Sequence, residues 1–211
     1  MKQYLFFMIG IFMVLNAKAQ DVTGFFIRMP NEYMVYLDDA WRKDLVSLYQ
    51  SGKTATLENT MSGHSTLLKL TSDYLLLQST DRSTMEIKLL PLVNNTYIAC
   101  VVTTVNAPAP DSRVQFFSMD WTLLPAGEIW MPATRGGFIK KDADRGSESF
   151  LTAASLMDMD LIHYRLSADE PVLTAEYATL QYLNDDDRKK VQPFLNDTPK
   201  VYRWKSGRFE N

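Results

Sequence analysis

Thr66-Leu67-Leu68-Lys69-Leu70, Tyr74-Leu75-Leu76-Leu77-Gln78 and Met85-Glu86-Ile87-Lys88-Leu89-Leu90 are short apolar runs. Only the polar turns Thr71-Ser72-Asp73 and Thr80-Asp81-Arg82-Ser83 part them. Runs of this length, closed by turn residues, read as strands joined by hairpins. In the third run Met85, Ile87 and Leu89 alternate with Glu86 and Lys88, so one face is expected in solvent. Asn94-Asn95 marks the next turn, and Thr96 to Thr104 is apolar on both faces, as a central strand is. After the stiff loop Ala107-Pro108-Ala109-Pro110-Asp111 a strand resumes from Val114 to Trp121. The stretch predicts an antiparallel meander of about five strands.

Upstream, Met34, Leu37, Trp41, Leu45 and Leu48 recur at helical spacing, with Asp38, Asp39, Arg42 and Lys43 on the other face and Gly52 past the end. A long amphipathic helix, opened by Met29-Pro30-Asn31-Glu32, is expected to lay its stripe on the sheet. Phe25-Phe26-Ile27 adds an apolar cluster lying across the body. Downstream, Pro125 to Gly146 is broken repeatedly by Pro and Gly and reads as a connection, with a short strand at 128–131. Residues 147–211 predict a smaller mixed unit: a helix near 147–157, strands at 161–166 and 172–177, a helix near 186–195 bent by Pro193, and a strand at 200–204. The fold class is α+β, partitioned as a leader 1–19, a helix plus antiparallel sheet 20–124, the connection 125–146, and a small unit 147–211 packed on the first.

The leader has the form of a secretory signal. Met1-Lys2 supplies a positive start, Tyr4 to Leu15 an apolar run too short for a comfortable membrane span, and Ala17-Lys18-Ala19 a small-x-small cleavage site. Cleavage after Ala19 leaves a periplasmic or secreted chain beginning at Gln20 with no stable membrane span, and no lipidation Cys stands behind the run. The competing reading is an uncleaved N-terminal anchor. Cleavage takes Lys2 and Lys18 from the 22 basic residues and leaves 25 acidic ones against 20, a net charge of −5. That balance disfavours nucleic acid.

Scarcity decides most of the chemistry. Cys100 is the single cysteine, set in Tyr97-Ile98-Ala99-Cys100-Val101-Val102, and only His64 and His163 accompany it. Disulfide stapling and a His/Cys zinc site have no residues to build on, and Cys100 reads as a buried small hydrophobe. Ser62-Gly63-His64-Ser65 sets hydroxyls beside an imidazole, but local adjacency is poor evidence for a nucleophile and its base, and turn chemistry accounts for it. Asp142-Ala143-Asp144-Arg145-Gly146-Ser147-Glu148 starts like a calcium loop, yet its glycine is one position early and Ala153 stands where a bidentate Glu is needed. Asp185-Asp186-Asp187 before Arg188-Lys189-Lys190 suits the two ends of a helix dipole. No Gly-rich phosphate or dinucleotide motif is present, so no catalytic residue, metal or cofactor is nominated. Trp130, Tyr202, Trp204 and Phe209 remain: sharing a surface they would form an aromatic platform for a sugar ring or a partner protein, and the alternative is packing of the small unit against the sheet.

Met29-Pro30, Ser62-Gly63, Leu70-Thr71-Ser72-Asp73-Tyr74-Leu75, Leu89-Leu90-Pro91, Thr103-Thr104-Val105 with Pro108 and Asp111-Ser112, Trp121, and Val201-Tyr202-Arg203-Trp204 with Gly207 and Phe209 together resemble an exported Bacteroidetes family, catalogued as domain of unknown function 3256. The resemblance spans nearly the whole mature chain. It implies a Gram-negative, gut-type origin and export, and transfers no functional residue. The function expected is that of a non-catalytic periplasmic or cell-surface protein binding an envelope protein or a glycan. The alternative is an envelope hydrolase working through two carboxylates without a local motif.

Overall fold

The computed structural model describes residues 21–211, so the leader lies outside the described residues. The meander forms the centre of the fold. Strands β1 (Thr56–Glu58), β2 (His64–Leu70), β3 (Tyr74–Thr80), β4 (Ser83–Pro91), β5 (Tyr97–Val105) and β6 (Asp111–Phe117) pair antiparallel in sequence order. The added strand β1 is three residues long and pairs Thr56 with Thr66 through Glu58 with His64, too short to show a period of two. β5 runs between β4 and β6 with Ile98 to Val102 all buried, as its two-faced apolar sequence requires. The last strand ends earlier than expected: Ser118 Nα and Thr122 O close a turn that sets Trp121 at φ +67°.

One face of this sheet carries Leu67, Leu75, Leu77, Met85, Ile87, Leu89 and Val101 into a core with helices α1 (Val22–Ile27) and α2 (Asp39–Gln50). Phe25 and Phe26 of α1 are fully buried there. Trp121 stacks on Phe25 at 4.0 Å between ring centroids and donates its indole N–H to the Phe25 carbonyl at 2.9 Å.

The single long helix is not what forms. A 3-10 turn at Asn31–Tyr33 follows α1, and α2 begins only after Asp38, whose carboxylate caps Trp41 N at 3.0 Å. Met34 and Leu37 are buried as the spacing required, but from the loop. Arg42 explains why. Read as part of the polar face, it is 1% exposed, and its guanidinium donates to the carbonyls of Leu37 and Met29 at 2.5 Å each, of Ile27 at 3.3 Å, and to Asn31 Oδ1 at 3.2 Å. A continued helix would give the Leu37 carbonyl to Trp41 N; here Asp38 takes that donor and Arg42 that acceptor. At the other end Gly52, at φ +71°, closes a Schellman turn, with Gly52 N bonded to Tyr49 O and Lys53 N to Leu48 O.

The second face of the meander is not wet. Glu86 and Lys88 are 7% and 1% exposed because a four-stranded antiparallel sheet covers them. It consists of β7 (Ile162–Leu166), β8 (Val172–Tyr177), β9 (Lys200–Lys205) and β10 (Arg208–Glu210), in the order β10-β9-β8-β7. Edge strand β7 lies against β4, β5 and β6. Side chains of the first sheet receive its backbone donors: Ile162 N bonds Asp111 Oδ1 at 3.2 Å, Tyr164 N bonds Ser112 Oγ at 3.0 Å, and Leu166 N bonds Glu86 Oε2 at 3.0 Å. The Tyr74 hydroxyl donates to the same Glu86 oxygen at 2.9 Å. Lys88 Nζ spans from Asp73 Oδ2 to the Ala168 carbonyl, 2.8 Å to each. Leu90, Ile98, Cys100, Val102 and Phe116 fill one core with Tyr164, Leu166, Leu173 and Tyr202 around this polar seam.

Helices α3 (Glu148–Leu156), α4 (Thr179–Tyr182) and α5 (Asp185–Val191) complete the C-terminal part, α3 packing on α5. Ser147 caps α3 and Asn184 caps α5. The second helix stops at Val191 and passes into a 3-10 turn at Gln192–Phe194, where Pro193 has no N–H to offer. Segment 128–131 forms no strand; a 3-10 turn at Ala126–Glu128 precedes it, and Ile129 O takes a single bond from Phe209 N. Among the described residues no helix is long and apolar enough to cross a membrane.

Replacing Arg42 by Ala leaves several interior carbonyls unbonded and is expected to cost roughly 2–4 kcal/mol, read from urea unfolding. Burial holds the Glu86 carboxyl above its ordinary value of 4.5, against the opposing pull of its Tyr74 and Leu166 bonds. The folded state therefore binds this proton more tightly than the unfolded one. Its stabilising effect is complete below pH 4.5 and is lost as pH rises through the folded value. Glu86→Gln, which keeps an acceptor without a titration, is expected to flatten this loss in unfolding curves taken from pH 4.5 upward.

Candidate functional site

Segment 125–134 is held under the second sheet by Phe209 N on Ile129 O at 2.8 Å and by Ala133 N on the Tyr164 hydroxyl at 2.9 Å. Those two bonds push Trp130 inward. It meets Tyr164 edge-on at 5.0 Å, Tyr202 at 5.8 Å and Phe116 at 6.2 Å between centroids. Phe209 lies 6.2 Å from Phe116 and 5.1 Å from Trp204, whose indole N–H donates to the Pro91 carbonyl at 2.7 Å. The four aromatic residues singled out from the sequence do come together, with Phe116 and Tyr164 as further members.

They do so as packing between the sheets. Trp130, Tyr202 and Phe209 are 8%, 5% and 5% exposed, so they offer no open face, which corrects the expected platform; only Trp204 is half-buried. Burial raises the Tyr164 hydroxyl to about 12 and raises that of Tyr202, so neither exchanges a proton near neutrality.

What reaches solvent is the rim of this cluster. Met131, 82% exposed, stands between two hollows that share it and Phe209. One, of about 230 Å3, is walled by Pro132, Thr134, Gly137, Lys200 and Tyr202. The other, of about 220 Å3, is walled by Glu128, Trp130, Arg208 and Glu210. The sequence gives no sign of an exposed methionine here, since Met131 follows Trp130 in a Pro/Gly-rich connection without a period.

The remaining sequence features fall into structural roles. Ser65 is fully buried, donating to the Ser79 carbonyl at 2.7 Å, while the preceding residue of the strand, His64, is exposed, so the two side chains do not form a pair. Cys100 is fully buried, and burial raises its thiol far above the ordinary range. His163 is half-buried opposite Glu176 in β8; burial, and then the charge of Arg165, lower its pKa. Asp144 accepts Gly146 N and Ser147 caps α3. No group of three His, Cys, Asp or Glu side chains is placed to hold a metal among the described residues. Two carboxylates, Glu176 and Asp197, line one hollow of about 150 Å3, whereas the roomier groove of about 500 Å3 between α3 and α5 has Glu148 as its one carboxylate, beside Lys189, Lys190 and Phe194. Ligand pockets commonly span about 300–1,000 Å3, so in these two places a carboxylate pair and ligand-sized space do not coincide.

A family model described as protein of unknown function (DUF3256) matches residues 14–209. The chain belongs to this family. A solved structure, described as a domain of an uncharacterized protein from Porphyromonas gingivalis W83, is similar to the DUF3256 chain with a TM-score of 0.81 and 26% identity, covering 90% of this chain and 98% of that one. The Bacteroidetes resemblance is thereby matched by a neighbour from that group, and neither comparison assigns a catalytic activity. Among curated proteins none matches. In this DUF3256 protein, Trp130→Ala is expected to cost about 3–5 kcal/mol, as a large interior ring does. Trp204→Ala is expected to cost about 1–2 kcal/mol, for one hydrogen bond and partial packing. Paired thermal melts measure the difference.

Proposed function

We propose that the protein is a non-catalytic binding protein of the bacterial envelope, periplasmic or at the cell surface, reached after cleavage behind Ala19. Its contact surface is the concave rim around Met131, and its partner is an envelope protein or a glycan. The observation that carries this reading is the exposure of Met131 between two hollows whose walls include the buried aromatic residues Trp130, Tyr202 and Phe209. An exposed apolar side chain on a backbone fixed by interior bonds gives a preorganised contact, which lowers the ordering cost of binding. The form of the leader supports export. Hydrolysis by paired carboxylates is the weaker reading, because the hollow holding Glu176 and Asp197 is small and, in the hollow holding Glu128 and Glu210, the latter is paired with Arg208 at 2.9 Å.

Two measurements test this. N-terminal sequencing of the protein recovered from its native host is expected to begin at Gln20; an intact Met1 rules out cleavage. Immobilised residues 20–211 are expected to retain a partner from envelope extract or a glycan from an array, and Met131→Asp to abolish retention without lowering the melting temperature. Equal retention by Met131→Asp refutes the rim.

A further inference from the structure

At about 500 Å3 the groove between α3 and α5 falls within the range of ligand pockets, and it shares no wall residue with the hollows of the rim. The two helices pack together with Ala153 and Val191 fully buried. Ser149 and Thr152 stand one turn apart on α3, exposed and too short to fill the space beside them. On the other wall Pro193 ends α5 and the following turn brings in Phe194. That ring is fixed from behind: it meets buried Phe150 edge-on at 5.3 Å and 88°, and the Phe194 carbonyl takes Lys140 N at 2.9 Å. A half-buried ring held in this way offers a preorganised apolar face.

Around Phe194 stand the Glu148 carboxylate, the Lys189 and Lys190 ammonium groups and the two hydroxyls, which together accept, donate and do both. Neither lysine is a free cation, since Lys189 lies 3.8 Å from Asp186 and Lys190 2.9 Å from Asp187. Glu148 stands in the first turn of α3, where the helix N-terminus offsets its charge. The groove thus sets hydrogen bonds of both senses beside an apolar face, without an excess of charge to select an ion. A pyranose has the matching chemistry, with C–H groups gathered on one face of the ring and hydroxyls that donate and accept along its edge. We propose that this groove binds a neutral pyranose unit of an oligosaccharide, its C–H face on Phe194 and its hydroxyls on Glu148, Ser149, Thr152 and the two lysines. Glu148 is the one carboxylate among the described lining residues, so no acid and base flank a glycosidic bond there, and the sugar is held without being cleaved. This site is separate from the rim around Met131 and stands whether or not the rim binds a partner.

The test is a titration of residues 20–211 with maltose, lactose, mannobiose and chitobiose, followed by amide chemical shifts. At least one disaccharide is expected to move the amides of Ser149, Thr152 and Phe194, with a dissociation constant of about 1 mM or below. Phe194→Ala is expected to weaken it about tenfold, as loss of an aromatic contact does. Because that variant also strips Phe150 of its neighbour, Thr152→Trp serves beside it: it fills the groove from an exposed position and is expected to abolish binding without lowering the melting temperature. Glu148→Gln keeps an acceptor and is expected to change the affinity less than about fivefold, as a neutral ligand requires. Met131→Asp is expected to leave sugar binding unchanged. No shift at these amides with any of the four sugars, or unchanged binding in Thr152→Trp, overturns the proposal. A larger loss in Glu148→Gln overturns it in favour of a cationic ligand, and a loss in Met131→Asp overturns it by moving the sugar to the rim.

Discussion

The edge of β7 is the constraint on which the rest of the molecule depends. A strand at the border of a sheet carries backbone donors that must be bonded if they are buried. Here, among the described residues, no further strand supplies the acceptors. Asp111, Ser112 and Glu86, rooted in three different positions of the meander, take Ile162 N, Tyr164 N and Leu166 N in turn. Two sheets that share no ladder are thereby keyed to one another by side chains, and the angle and register of β7 follow from where those three groups stand. Lys88 completes the seam at Ala168, its charge balanced by Asp73. The aromatic cluster can then close, because Tyr164 alternates with His163 and Arg165 and must face inward once its backbone is fixed.

Much of the meander was legible because hairpins are local. Thr71-Ser72-Asp73 and the alternation about Ile87 report the turn and the pleat from neighbouring residues alone. The faces were harder to read. Glu86 and Lys88 look like a solvated face because polarity normally marks exposure, and only a segment 80 residues away shows that they are paired inside. Arg42 misleads in the same manner: its charge assigns it to the polar face, yet its partners are interior carbonyls, which a sequence does not display. The continuation of the helix through Met34 and Leu37 fails for that reason, while Gly52, a local stop signal, falls where it was expected.

Of the two roles open to the aromatic residues, display at a surface or packing of the small unit against the sheet, the structure shows the second for Trp130, Tyr202 and Phe209. Trp130, Tyr202 and Phe209 are large enough to fill the space between two sheets, and composition does not distinguish that use from display at a surface. Their burial nonetheless fixes the rim: Met131 stands out from backbone tied down on both sides, by Phe209 N on Ile129 O and by Ala133 N on the Tyr164 hydroxyl. The rigid interior and the exposed contact are two ends of the same arrangement.

The contacts that close the two faces of the meander also dictate an order of assembly. Trp121 reaches back 96 residues to Phe25, Leu166 reaches back 80 to Glu86, and Trp204 reaches back 113 to Pro91. The hairpins form from near neighbours, whereas each covering layer must first close a long loop, which slows folding in proportion to contact order. A chain threaded out N-terminus first therefore holds a greasy, half-built sheet until its last strand arrives. Residues 200–211, by bringing β9 and β10 into place, decide when that surface disappears.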